Sequence, residues 1–447
     1  MLKKTMFLAL ISLMLIAAFP VWAGGGADLK GQEVVIGKWW GPDYDVTSYK
    51  PNNATDEQIL AWRTQIQKEY GFTMREKEIS TWSNMQSLAA TSIMTGTPAA
   101  QVFFMEPGWA MALMAQNLVY PVGDNKAVNL KKPTAVAKGK NPPQWNQGAI
   151  DSMTFGGKIY GFAEGININN AQVIFFNKRL FREAGLNPDT PYDMQKAGTW
   201  TWEAFLDVCK KLTRDINNDG RIDTYALPMD LSTEILDAII SGNGAQYVTK
   251  DPSGKFVNAT NKPEFLEGLQ FAIRLKNEGV MKPRPENTNW DWFKSEFADG
   301  KVAMRIDESY VMGELGNMRD DWGMVLPPKG PRSRNYVVFS RDNILVIPSS
   351  YDAAKVDKIM AAVALWFTPV NDDWKSGLYN TFRDTRAVDE TIALIRSTPH
   401  TTKFHTYIRG LQRGDIAWQM WYHEGDPAQL IEAVSQAWNA TIGDSNF

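Results

Sequence analysis

The run Val173-Ile174-Phe175-Phe176-Asn177-Lys178-Arg179-Leu180-Phe181-Arg182-Glu183-Ala184-Gly185-Leu186 passes from a short apolar stretch straight into a charged, helix-compatible one that stops at a glycine. It reads as a buried strand over 172–176 leading into a helix over 178–184. Upstream, 158–162 is another short apolar run, and downstream a longer helix is expected over 202–212. The same alternation fills the first part of the chain. A strand over 33–38 ends in Trp39-Trp40-Gly41-Pro42; the next helix is capped by Thr55, carries Asp56 and Glu57 in its first turn and is stopped by Gly71. Ile59, Trp62, Ile66 and Tyr70 share one face of that helix, which marks Trp62 as core. A strand over 72–77, a helix over 84–94 and a strand over 100–105 follow. Strand alternating with helix is the rhythm of an open parallel α/β sheet. Further helices are expected at 263–278, 355–367 and 427–440, and strands at 302–306 and 344–347. No short-period repeat or low-complexity linker interrupts the chain, so two α/β lobes have to be joined by crossings that are themselves strand-like.

Length and composition bound what such a chain does. At 447 residues it has room for two or three domains, and 44% hydrophobic with 22% charged residues is ordinary for a folded soluble protein. Forty-seven Lys and Arg against 50 Asp and Glu give a net charge of −3, which does not favour nucleic acid as a partner. A single cysteine, Cys209, excludes an internal disulfide and reads as a small buried hydrophobe. With three histidines, a His/Cys zinc cluster is nearly excluded. Residues 1–23, with Lys3 and Lys4, an apolar run from Met6 to Ala18 and a small-residue site at Val21-Trp22-Ala23, have the form of a secretory signal peptide, and no cysteine stands there to take a lipid. The expectation is a soluble periplasmic protein. The unusual feature is 17 tryptophans.

In this order, several segments resemble the extracellular solute-binding proteins of bacterial ATP-driven importers, in particular the maltose- and multiple-sugar-binding proteins. The run at 173–186 is the strongest match, followed by Pro191 and Thr199-Trp200-Thr201-Trp202-Glu203; weaker pieces are Thr95-Gly96-Thr97-Pro98, Gly156-Gly157-Lys158-Ile159-Tyr160-Gly161 and Phe297-Ala298-Asp299-Gly300-Lys301-Val302-Ala303-Met304. The resemblance implies an α/β, two-lobed periplasmic-binding-protein fold (type II-like), each lobe a mostly parallel sheet flanked by helices. It places lobe 1 at 27–160 plus 308–347, lobe 2 at 161–307 plus 348–447, and hinge crossings at 160–164 and 305–308. It also implies a ligand in the cleft between lobes, a membrane permease as partner, and a monomer.

A sugar offers apolar C–H faces and a rim of hydroxyls, so its site needs flat aromatic platforms and planar polar groups. Candidates at strand ends are Trp39, Trp40 and Asp43; Trp82 and Asn84; Glu106 and Trp109; and Asn167, Asn169 and Asn170. After the second crossing come Glu308 and Tyr310, where relatives often carry Gly-Ser-Trp instead of Glu308-Ser309-Tyr310. Trp is bulky, so most of the 17 copies should pack, Trp62, Trp200 and Trp202 among them; the Asn group competes with a local turn reading. Second-lobe contacts are harder to place; Asp230, Glu234, Asn243, Arg341, Arg386, Tyr407, Trp418 and Trp421 are the options.

Asp215-Ile216-Asn217-Asn218-Asp219-Gly220-Arg221-Ile222-Asp223 matches the first nine residues of an EF-hand loop, with oxygen ligands from Asp215, Asn217, Asp219, the Arg221 carbonyl and Asp223, but Ala226 stands where the closing Glu belongs. A structural calcium ion is expected there, against the simpler reading of an Asx-rich turn. No organic cofactor is expected. The leading function is carbohydrate capture for an importer. A secreted glycosidase or lyase and a chemosensory ligand binder are the alternatives, although no compact acid pair, serine elbow or His-based triad stands out. Few cationic cleft candidates favour a neutral ligand over a polyanion.

Overall fold

A computed structural model describes residues 28–165, 168–230, 232–379 and 381–446. The signal-peptide reading of 1–23 and the candidate Asn167 lie outside the described residues. In chain order, the elements that position the site begin with β1 (Glu33–Lys38), α1 (Ala54–Tyr70), β2 (Thr73–Glu78), α2 (Met85–Met94), β3 (Val102–Met105) and α3 (Pro107–Ala115). Then come β4 (Gln172–Asn177), α4 (Lys178–Glu183), α5 (Trp202–Leu212), α6 (Glu234–Gly242), β5 (Met304–Glu308) and β6 (Trp322–Val325). Last are β7 (Val338–Ser340), β8 (Ile344–Val346), α7 (Ala353–Trp366) and β9 (His400–Thr402).

Lobe 1 is a sheet of order β8-β3-β1-β2 in which β1 runs parallel to β2 and β3, and β8 antiparallel to β3. Its strands alternate with period two. Val34, Ile36 and Val102 face Trp62 and Ile66 of α1 and the apolar side of α7, whereas Val35, Phe103 and Met105 face α2 and α3. Both faces are therefore covered, as a largely parallel sheet requires. The cap of α1 is Asn53 rather than Thr55: its side chain, on extended backbone, accepts the Asp56 N–H at 2.9 Å, and Gly71 ends the helix at φ 70°. Gly37 is obligatory, because a Cβ there would run into Ile79 and come within 2.8 Å of the Ala100 Cβ.

Lobe 2 corrects the expectation of a mostly parallel sheet. β4 is sandwiched between β5 and β6 and is antiparallel to both. β4 leaves the hinge and β5 returns to it, Glu308 ending opposite Gln172, so neighbours running in opposite senses are unavoidable. All six residues of β4 are buried. Asn177 at its end caps α4 by accepting the N–H groups of Arg179 and Leu180, which joins strand to helix without a loop.

The lobe boundaries also differ from those expected. β6 belongs to the lobe 2 sheet, so 308–325 is not part of lobe 1, and α7 packs in the lobe 1 core, so 353–366 is not part of lobe 2. β5 is likewise no crossing, since its whole length pairs with β4. The crossings are two antiparallel segments side by side, tied where Phe162 bridges Leu345 and where Ala171 bridges Ser340. A third connection follows α7. One apolar cluster runs from α2 and α3 into β4 and α5, so the lobes share core at the hinge.

Candidate ligand-binding cleft

Between the lobes lies a cavity of about 1310 Å³ lined from both sides. Its lobe 1 wall is aromatic. Trp39 and Trp40 follow β1 directly, Phe104 projects from β3, Trp82 precedes α2 and Trp109 lies in the first turn of α3. Their rings form a continuous ledge: Trp39 to Trp40 is 4.6 Å between centroids, Trp40 to Phe104 5.1 Å, Trp39 to Trp109 5.0 Å and Trp109 to Trp82 5.4 Å. Tilted and edge-on contacts of this kind are the favoured aromatic geometries. Trp82 is 61% and Trp40 45% exposed, far more than large rings usually are, while Trp39 and Trp109 brace them from behind. Tyr310, 41% exposed, lines the cavity from the lobe 2 side.

The floor is ionic. Arg341, on the second crossing, donates to Glu106 of lobe 1 at 2.6 Å and through Nε to both oxygens of Glu308 at 3.0 and 3.1 Å. Lys403 meets Glu308 at 2.9 Å from below and donates to Gln172 at 2.6 Å. Deeper in lobe 2, Arg413 lies 2.6 Å from Asp237, which His405 approaches at 3.4 Å. Glu106, Glu308 and Asp237 thus balance Arg341, Lys403 and Arg413. Burial pushes Glu308 up, but Arg341 and Lys403 outweigh it and hold the carboxyl below its ordinary range. Glu234, 3.7 Å from Lys403, is the acid left over: burial, with Glu308 and Asp237 adding to it, pushes its pKa up to about 8 against the pull of Lys403. Burial drives His405 down to about 4, with Arg413 adding to the effect and Asp237 opposing it.

A family model described as "Bacterial extracellular solute-binding protein" matches residues 61–366, which covers both lobes and both crossings. The chain belongs to that family. Among solved structures, this solute-binding protein superposes on a cyclic α-maltosyl-1,6-maltose binding protein from Arthrobacter globiformis with TM-score 0.63 at 14% identity, covering 93% of this chain and 100% of the other. It also superposes on UgpB from Mycobacterium tuberculosis in complex with glycerophosphocholine, with TM-score 0.60, 13% identity and 93% and 99% coverage. An ABC transporter associated binding protein from B. animalis subsp. lactis, in complex with β-1,6-galactobiose, gives TM-score 0.55 at 16% identity over 94% and 99% of the chains. At such identities the likeness is one of fold. Among curated proteins no sequence match was found.

Within the cleft of this solute-binding protein the sequence candidates separate. Trp39, Trp40, Trp82, Glu106, Asn169, Asn170 and Tyr310 line it, and Trp109 supports the ledge from one step back. Asp43 does not line it: its carboxylate accepts the Glu78 N–H at 2.8 Å and ties the loop after β1 to the end of β2. Asn84 is exposed just ahead of α2, outside the lining, and makes no side-chain capping bond. Glu308 lies beneath the cavity, committed to Arg341 and Lys403. Trp62, Trp200 and Trp202 are buried as expected, and Cys209 is a buried free thiol within α5. Sequence reasoning missed Phe104, Glu164, Arg396 and the segment 366–374 that closes one side of the cleft. Phe104 had a signal, since it alternates out of a strand whose neighbours Phe103 and Met105 point into the core.

The loop Asp215–Asp223 is an exposed turn stabilised by its own side chains. Asp215 accepts the N–H groups of Asp219 and Gly220, Asp219 that of Arg221, and Asp223 that of Ile216. Asn217 accepts the Asp219 N–H, and Gly220 turns the chain at φ 85°. Among the described residues no three acidic, His or Cys side chains converge as a metal-holding group.

Proposed function

We propose that the chain captures a carbohydrate of more than one ring in the interlobe cleft and delivers it to the permease of an ATP-driven importer. The observation that carries this reading is the ledge of Trp39, Trp40, Phe104, Trp109 and Trp82 facing a cavity of about 1310 Å³. That volume exceeds the roughly 300–1,000 Å³ of ordinary small-molecule pockets, and a row of rings suits consecutive sugar units. Closure of the lobes would place Tyr310 and the Asn169–Asn170 turn against the opposite side of the ligand. The family places the protein outside the cytoplasm; cleavage after Ala23 into the periplasm as a monomer without a lipid is our finer reading.

Binding without turnover is the reading that Glu106 and Glu308 support. A retaining or inverting glycosidase needs one carboxyl protonated and one free. Glu106 and Glu308 are instead both tied to Arg341, and Glu308 is held in its charged form. The test is calorimetric titration with malto-, cello-, xylo- and galacto-oligosaccharides, followed by chromatography of the recovered sugar. Binding of one class with the sugar unchanged supports the proposal; cleavage lost on Glu106→Gln would replace it with the enzyme reading. For the loop Asp215–Asp223 we retain calcium as a separate proposal, supported by ligand spacing and the left-handed Gly220, and tested by calcium titration.

A further inference from the structure

Among the described residues three arginines line the cleft, and two of them already have a carboxylate partner. Arg63 contacts Glu76 at 3.4 Å and lies over the rings of Trp366 and Tyr44, at 4.0 and 4.5 Å from their centroids. Arg341 is held by Glu106 and Glu308. Arg396 differs. Its guanidinium stacks on the Trp374 ring at 4.7 Å, and among the described residues it has neither a hydrogen bond nor an acidic partner. Burial alone acts on it and pushes its pKa below the usual arginine value, the sign of a cation partly removed from water with no anion beside it.

Its position gives that charge a use. Behind the crossings lies a second cavity of about 570 Å³, and Gln144, Gly165, Arg341, Asp342 and Arg396 line both cavities. Arg396 therefore stands at their junction, which Arg341 and Asp342 share. The acids of the cleft wall have other partners. Asp342 accepts from Asn146, Asp372 from Asn141, Glu314 pairs with Arg305 and Lys294, and Asp373 caps the turn at Ser376. Glu164, an exposed acid of the same cleft wall whose pKa is pushed up to about 7, is about half ionised near that pH.

We propose that Arg396 anchors a carboxylate of the ligand, so that the cargo is an oligosaccharide containing a uronic acid, its ring faces on the tryptophan ledge and its acid group at the junction of the two cavities. This rests on the carbohydrate reading above and adds a charge class to it. The guanidinium fork matches a planar carboxylate through two parallel N–H···O bonds. Among the described residues a single free cation, in a wall that also holds Glu106, Glu314, Asp342, Asp372 and Asp373, suits one negative charge and opposes phosphorylated or densely sulfated sugars.

The experiment titrates the protein calorimetrically with oligosaccharide digests of polygalacturonate, alginate and glucuronoxylan, with the same digests after chemical reduction of their carboxyl groups, and with a sulfated galactan digest. The expected result is that one acidic digest binds about ten- to a hundred-fold more tightly than its reduced form. Arg396→Gln should erase that difference and Arg396→Lys restore part of it, with the melting temperature of each free variant near that of the unaltered protein as the control for folding. Equal binding of acidic and reduced digests, preference for the sulfated one, or an acid preference that survives Arg396→Gln overturns the proposal while leaving the carbohydrate reading in place. Silence toward every sugar, acidic or neutral, overturns both.

Discussion

The two sides of the cleft are built on opposite principles. The lobe 1 wall is a neutral ledge of rings, two of which stand well out into solvent; the floor and lobe 2 side rest on a chain of alternating charges that runs from the partly buried Glu106 and Arg341 to the buried Glu308 and Lys403. Rings that project from strand ends can meet a ligand without rearranging anything beneath them. Charges that neutralise one another in the hinge have no spare valence for a ligand, and they fix how the two crossings sit on each other. On the proposed function the ledge is the recognition surface and the ionic chain its frame.

Breaking the frame should cost the most. Arg341→Met leaves Glu106 without its partner and Glu308 with Lys403 alone; removal of one partner from a fully buried pair costs about 3–5 kcal/mol, and this partly buried one should lose somewhat less, still enough to lower the urea midpoint clearly. A loss below about 1 kcal/mol would show that the chain is solvated and frames nothing. The ledge should behave in reverse. Trp82→Ala and Trp40→Ala should shift unfolding by no more than about 0.5 kcal/mol, as exposed substitutions usually do, yet weaken oligosaccharide binding by about 1–3 kcal/mol in calorimetry. A large loss of stability instead would make the rings part of the core.

A third comparison sets the frame against pH. Glu234 has its folded-state pKa above the ordinary 4.5, at about 8, so its neutral form favours the folded state below 4.5 and that contribution is lost as the pH rises through 8. Glu234→Gln should therefore melt with a flatter profile across this window, read from thermal scans at successive pH values; parallel profiles would mean that Glu234 is already charged. His405 acts in the other direction, since its pKa of about 4 lies below the ordinary 6.5 and its stabilising neutrality is lost as the pH falls between those values. The smallest effect is expected from calcium at Asp215–Asp223, a rise of the melting temperature by a few degrees at millimolar calcium; extracellular sites bind at about 10⁻⁴–10⁻³ M, so chelator-treated protein that does not respond would leave the loop as a self-capped turn.

The same contrast explains what the sequence could tell. Strand ends followed by tryptophan, as at Trp39-Trp40, are readable because a strand places its last residues at the sheet edge, and two large aromatics there have little core to enter. Period and punctuation located α5 at its observed bounds and α1 within a few residues, since both are amphipathic and end at clear signals. Of the ionic floor, Glu106, Glu308 and Arg341 were readable as separate candidates, but neither their pairing nor Lys403 was. Arg341, Glu308 and Lys403 are far apart in the chain and surrounded by sequence without motif, and only the antiparallel crossings bring them together. The lobe boundaries failed for a related reason: β5 and β6 are apolar runs that fit either sheet, and their pairing with β4 is a long-range choice. Asp43 looked like a site residue because it is polar and near the cleft, and proved to hold a loop.

The central claim is that the tryptophan ledge is where the cargo binds. Its most direct test is calorimetric titration of the intact protein and of the Trp40→Ala, Trp82→Ala double variant with the oligosaccharide class that binds best. The account predicts saturable binding to the first and a loss of at least tenfold in affinity in the second, whose free melting temperature stays close to the original. Undiminished affinity in a folded double variant would contradict it and move the site off the ledge.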